Sequence, residues 1–247
     1  MWIQFEQHSK VYKFDANNFT DLSLALNKKD NVNCYYLEGP SFEYFKSEAF
    51  VGSLAAGGSV NCERLSFYPH ASGTHTECAL HVLPVDFDMR SIQIPVLQMC
   101  KIVSVQPTQI GSDHCIDMAA IKGLHNQENF EAIVVRTLPN GKEKCHENYS
   151  GNNPVYFEPE VLSVLQDMGF KHILTDLPSI DKESDEGRLA AHKNWFLVQG
   201  KAPADRTISE LIYIPESLAD GNYVLNIQVP KIETDAVPSR ILVYPCV

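Results

Sequence analysis

The chain has no C-x-x-C pair, no surplus of basic residues, no repeat, and no apolar run near the ~20 residues that span a bilayer. Each absence removes a class of protein. Without a long apolar run, a membrane span is excluded. Lys and Arg number 20 against 31 Asp and Glu, a formal net charge of −11, which is the wrong sign for a nucleic-acid partner. The acidity reads as solubility. Seven cysteines (34, 62, 78, 100, 115, 145 and 246) are odd in number and scattered. They suit reduced thiols in a cytosolic protein better than a disulfide framework or a Cys-type zinc site. On that reading the N-x-S/T triplets at Asn18 and Asn148 are chance. Met1-Trp2-Ile3-Gln4-Phe5-Glu6 lacks the basic start and apolar run of a signal peptide, so a cytoplasmic protein is expected. No linker-like stretch interrupts the chain, which is read as one domain over residues 1–247.

What is present suits a soluble globular protein: 44% of residues are hydrophobic and 21% charged, enough for a sizeable core. Runs rich in Val, Ile, Leu, Tyr and Phe, bounded by Pro, Gly, Asn or Asp, predict strands. They span Val60–Phe67, Val96–Val105, Ala132–Thr137, His172–Asp176, Ile208–Pro215, Tyr223–Val229 and Arg240–Tyr244. Helices are predicted at Asp117–Leu124, at Pro159–Met168 between an initial proline and Gly169, and at Asp185–Phe196 behind a Ser184 or Asp185 cap. Strands alternating with helices in the second half give an α/β class with a mixed sheet.

The densest chemistry lies between His70 and His81, reading H-A-S-G-T-H-T-E-C-A-L-H. Histidine is the commonest metal ligand and the side chain best suited to proton transfer near neutral pH. His75 and Glu77 are two residues apart, so an extended backbone points both to one face, with Cα atoms roughly 6.6 Å apart. Side chains can converge on one ion from there. His81 joins them only if the chain turns after Glu77, a place that suits a general acid or base. Surface or core histidines are the competing reading for each residue taken singly. No H-E-x-x-H is present to support a zincin-type site.

Distant residues could complete such a site. His192 lies at helical spacing from Leu189, Trp195 and Phe196, as a satisfied core histidine or as a ligand. Glu210 sits in an apolar strand, where a carboxylate costs several kcal/mol unless it is paired or bound to metal. Asp176 and Asp181, at a strand end ahead of the His192 helix, either orient a histidine or cap the turn. Tyr35, Tyr36, Tyr68 and Trp195 could line an aryl pocket or belong to the core.

These residues together resemble the metal-dependent hydrolases of the cyclase type, which include bacterial kynurenine formamidase. The family hallmark H-x-G-T-H-x-D-x-P-x-H is followed by Gly73-Thr74-His75-Thr76-Glu77-Cys78-Ala79-Leu80-His81. A T-D-x-P-S-x-D element, a helical histidine and a strand glutamate are similar to Thr175–Asp181, His192 and Glu210. The likeness covers about residues 60–215. It implies a swivelling β/β/α fold, usually in homodimers or homotetramers, and a small-molecule substrate. It further implies one or two divalent ions, zinc or manganese, on His75, Glu77, His192 and Glu210. His81 would be the catalytic histidine, with Asp176, Ser179 and Asp181 in supporting or substrate-facing places. The chain departs from the pattern in three places. The first motif histidine is Ala71, with His70 one residue away, a shift that reverses a side chain in an extended strand and loses a ligand unless a local bulge restores His70 to the site. Glu77 replaces aspartate, and Ala79 replaces proline. Two functions follow. One is a metal-dependent hydrolase of an amide or cyclic amide with His81 as acid–base. The other is a ligand-binding or oligomeric homologue with activity reduced by the loss at Ala71, which Ala71→His would restore. A thiol enzyme using Cys78 is a third.

Overall fold

A computed structural model describes residues 1–246. The fold is α/β, built around a mixed nine-stranded sheet with few helices. From one edge the strands run Ala236–Pro238, His75–Glu77, Thr207–Glu210, His172–Thr175, Ala132–Thr137, Gln98–Val105, Gly221–Gln228, Arg240–Pro245 and Thr20–Asp21. The middle four, from Thr207–Glu210 to Gln98–Val105, are mutually parallel. Antiparallel strands flank them on both sides.

The parallel strands are apolar at successive positions because both of their faces are covered. Ile133, Val135, Ile173 and Ile208 face one core with Leu162, Leu165, Trp195 and Phe196 of the helices. Ala132, Val134 and Leu174 face a second core with Leu225, Ile241 and Val243. Each large side chain fully buried in these layers contributes about 1.5–3 kcal/mol.

The helices are shorter than the sequence predicts. Pro159–Asp167 starts at its proline and is closed by Gly169 at φ +94°, with the Phe170 N–H donating to the Leu165 carbonyl at 3.2 Å. The predicted helix Asp185–Phe196 begins only at Ala190. Glu186, Gly187 and Leu189 all have positive φ, and the Asp185 carboxylate accepts the N–H groups of Gly187 and Leu189, so a polar turn replaces the first helical turn. Asp117–Leu124 forms successive turns rather than a helix. Gly123, at φ +87°, stops it before a helix can repay its costly first turn. The strand predicted from Ile208 to Pro215 ends at Glu210, since Leu211 has φ +54°. That early stop leaves Glu210 at the carboxyl end of the parallel strands, where α/β sheets hold their ligands.

Candidate metal centre

Strand register alone brings three of the expected residues together. His75–Glu77 runs antiparallel to Thr207–Glu210 with His75 opposite Glu210 and Glu77 opposite Ile208, so His75, Glu77 and Glu210 project from one face. His75 Nε2 lies 3.4 Å from Glu210 Oε2. The other Glu210 oxygen accepts the Ile180 N–H at 2.8 Å. His192 enters from the helix Ala190–Phe196, and its Nε2 is 3.0 Å from Glu77 Oε1. Asp181, rather than Ser184 or Asp185, caps that helix. Its carboxylate accepts the N–H groups of Ala191 at 2.8 Å and His192 at 3.0 Å, and holds the His192 ring through Nδ1 at 2.6 Å.

The chain does turn after Glu77. A 3₁₀ turn over Ala79–His81 brings His81 back until its Nε2 is 3.9 Å from Glu77 Oε2. His70 departs from the extended-chain expectation. Pro69–Ser72 is a helical turn, so a one-residue shift rotates the side chain instead of reversing it. His70 Nδ1 therefore lies 3.2 Å from Glu77 Oε2, inside the cluster. Ala71 instead packs among Val32, Cys34 and Leu211.

The interior of the cluster carries acceptors facing acceptors. The Gly73 carbonyl can only accept, so His75 donates to it from Nδ1 at 3.0 Å and presents a lone pair at Nε2. Asp181 imposes the same orientation on His192. His75 Nε2, His192 Nε2 and both Glu77 oxygens are buried with no hydrogen-bond partner. Such orphaned atoms are costly, and a divalent cation is the partner that suits two imidazoles and a carboxylate at once. The residues thus fit a metal. His70, His75 and Glu77 form one set of convergent donor atoms, and Glu77, His81 and His192 another, sharing Glu77. The charges show the same tension. Burial opposes a charge on His70, but Asp235 and Glu77 outweigh it and raise the pKa to about 10. Burial likewise opposes ionisation of Glu77, yet where His192 and His81 take up protons instead, their charges hold the carboxyl well below its usual range.

A cavity of about 590 Å³ opens above the cluster, a size suited to a small molecule. His70, His81, His192 and Glu210 line its floor, and Tyr35 and Ser179 its wall. Tyr35 donates from its hydroxyl to the Pro178 carbonyl at 2.9 Å. Tyr36 and Tyr68 are exposed and Trp195 is wholly buried in the core, so of the four candidate aromatics Tyr35 alone lines this cavity. Asp176 stands apart from the cluster. It accepts the backbone N–H and hydroxyl of Thr137 and binds Lys144 Nζ at 2.7 Å, so it organises the strand ends and touches no cluster histidine. Cys78 is buried beside Met89, Ile92 and Val237, does not line the cavity, and its thiol is pushed up to about 11 by burial, the setting of a structural thiol rather than a nucleophile. Asp235 was not evident from the motifs. It binds both His70 and His81 from the bend just ahead of the strand Ala236–Pro238, 154 residues beyond His81, a distance no local spacing reveals.

A family model described as Cyclase matches residues 20–182, more than half of the 247-residue chain. Kynurenine formamidase from Bacillus cereus is 27% identical over 239 residues, covering 93% of this chain and 99% of that protein. A structure titled a predicted metal-dependent hydrolase, from Bacillus stearothermophilus, aligns with TM-score 0.62 at 18% identity over 92% of this chain and 97% of that one. Isatin hydrolase A from Labrenzia aggregata, bound to benzyl benzoate, aligns with TM-score 0.63 at 14% identity over 92% and 93%. The two structural likenesses carry the fold.

Proposed function

The chain belongs to the Cyclase family, and from that premise we propose that it is a metal-dependent hydrolase of amide or cyclic-amide C–N bonds. The observation that carries this reading is the set of partnerless buried atoms, His75 Nε2, His192 Nε2 and both Glu77 oxygens, converging beneath a substrate-sized cavity. The relatives named kynurenine formamidase and isatin hydrolase support the bond type.

His70, His75, Glu77, His192 and Glu210 would hold one or two divalent ions, zinc or manganese. A cation there supplies Lewis-acid polarisation of the scissile carbonyl and makes water more acidic. The protein's own groups do the rest. His81, at the cavity floor and a quarter exposed, accepts the proton released when water attacks and returns it to the departing nitrogen. Asp181 fixes the ring of His192, and the Ile180 N–H fixes the carboxylate of Glu210, so neither reorients as charge develops. Tyr35 and Ser179 line the cavity beside these groups.

The proposal includes self-association. The hairpin of Ser41–Tyr44 and Glu63–Ser66, with its connecting loop, leaves Tyr44, Phe45, Leu54 and Leu65 exposed, an apolar surface suited to a second copy in a homodimer or homotetramer. The test of function is a panel of aryl formamides, cyclic amides, lactones and esters. Hydrolysis of C–N substrates that is abolished by a chelator and restored by zinc or manganese is expected. Turnover unaffected by chelation, or confined to esters, would contradict the assignment.

A further inference from the structure

Asp235 lies outside the family motif but holds two of the motif-region histidines. Its position is set by backbone pairing. Its carbonyl accepts the Cys78 N–H at 3.0 Å, and its neighbour Ala236 stands opposite Glu77 in the sheet. The Thr234 hydroxyl donates to Oδ1 at 3.0 Å. That leaves Oδ2, which lies 2.9 Å from His70 Nε2 and 3.0 Å from His81 Nδ1. An ionised carboxylate only accepts, so both imidazoles donate to this one oxygen.

The consequence is a fixed orientation for each ring. His70 spends its Nε2 proton on Asp235 and turns Nδ1 toward Glu77 Oε2 at 3.2 Å. His81 spends Nδ1 and turns Nε2 toward the same oxygen at 3.9 Å. The two rings stack with centroids 4.1 Å apart. Among the described residues Asp235 is the hydrogen-bond partner of both rings, which are otherwise partly open to solvent. A carboxylate on the far nitrogen of an imidazole is the arrangement that orients metal-bound histidines.

We propose that Asp235 is a positioning residue that makes His70 a metal ligand in place of the histidine missing at Ala71 and aims His81 Nε2 at the reacting groups. The helical turn at Pro69–Ser72 supplies the direction, the longer Glu77 side chain supplies reach, and Asp235 locks the result. This inference rests on the metal-dependent reading above.

The test is titration of metal-stripped protein with zinc alone, then manganese alone, against a chromophoric chelator. The variants are Asp235→Ala, Asp235→Asn, Asp235→Glu, His70→Ala and the His70→Ala/Asp235→Ala double. Asp235→Ala is expected to weaken binding by about 10–100-fold, the usual effect of losing such a partner. His70→Ala should do the same, and the double variant should bind no more weakly than His70→Ala, because the two act as one unit. Asp235→Glu should recover most of the loss. Asp235→Asn matches aspartate in size, so weakened binding with unchanged Tm separates positioning from folding. At saturating metal, Asp235→Ala should lower kcat with KM little changed, through His81. Wild-type protein that binds neither metal would overturn the metal-dependent reading and this inference with it. Wild-type binding that Asp235→Ala leaves unchanged, or losses that add in the double variant, would overturn this inference alone.

Discussion

At the scale of single residues, the site depends on which atom of each side chain is already committed. His75 and His192 have their Nδ1 atoms engaged by Gly73 and Asp181, so their Nε2 atoms are the ones free to bind. Ala71 shows why counting motif positions misleads. It is buried beside Val32, Cys34 and Leu211, so Ala71→His would force an imidazole into an apolar cluster rather than restore a ligand. The expected result is a loss of about 1–3 kcal/mol in denaturant unfolding with no gain in metal binding. His172 sets an acid limit on stability. Burial lowers its pKa from 6.5 to about 4, and Thr207 Oγ1 lies 2.9 Å from its Nδ1. Between those values the unfolded chain takes up a proton that the folded chain refuses, so stability falls as pH falls from 6.5 toward 4. The loss is on the order of 3 kcal/mol. His172→Gln should flatten the unfolding free energy across that window, and an unchanged slope would contradict this.

At the scale of elements, the site is made where strands end. Glu210 closes one strand, Asp176 follows the next, and Thr137 closes a third. Asp176 is buried and neutralised by Lys144. Removing that partner as Lys144→Met should cost about 3 kcal/mol or more by thermal or chemical unfolding, while metal content stays as in the wild type. The sequence conveyed the elements with strong periodicity. Ala132–Thr137 was legible to the residue and Pro159–Asp167 to within one, because apolar pattern and punctuation agreed there. Spacing points to His75 and Glu77 and burial cost to Glu210, while His192 reads equally as a core histidine until the resemblance places it with them. His70, one residue off the motif, reaches the cluster because Pro69 starts a helical turn, which an extended-chain reading does not supply. Asp235 was invisible because its link to His70 and His81 is made only by sheet pairing. The overlong helix from Asp185 failed because the Asp185 carboxylate stabilises a turn more effectively than a cap.

At the scale of the whole molecule, a nine-stranded sheet carries a core on each face, and the candidate site lies where its strands end. No helix among the described residues is long and apolar enough to cross a membrane. The exposed hairpin predicts assembly, and sedimentation should show a dimer or larger species, with a monomer at micromolar concentration counting against it. The central claim is that the buried donor atoms of His75, Glu77, His192 and Glu210 exist to hold a cation. The most direct measurement is elemental analysis of protein purified without chelator, alongside folded His75→Ala and Glu210→Gln variants. Stoichiometric zinc or manganese in the wild type, sharply reduced in both variants, is the predicted result. Folded wild-type protein free of metal that takes up neither ion on addition, or variants that retain the full complement, would contradict the claim.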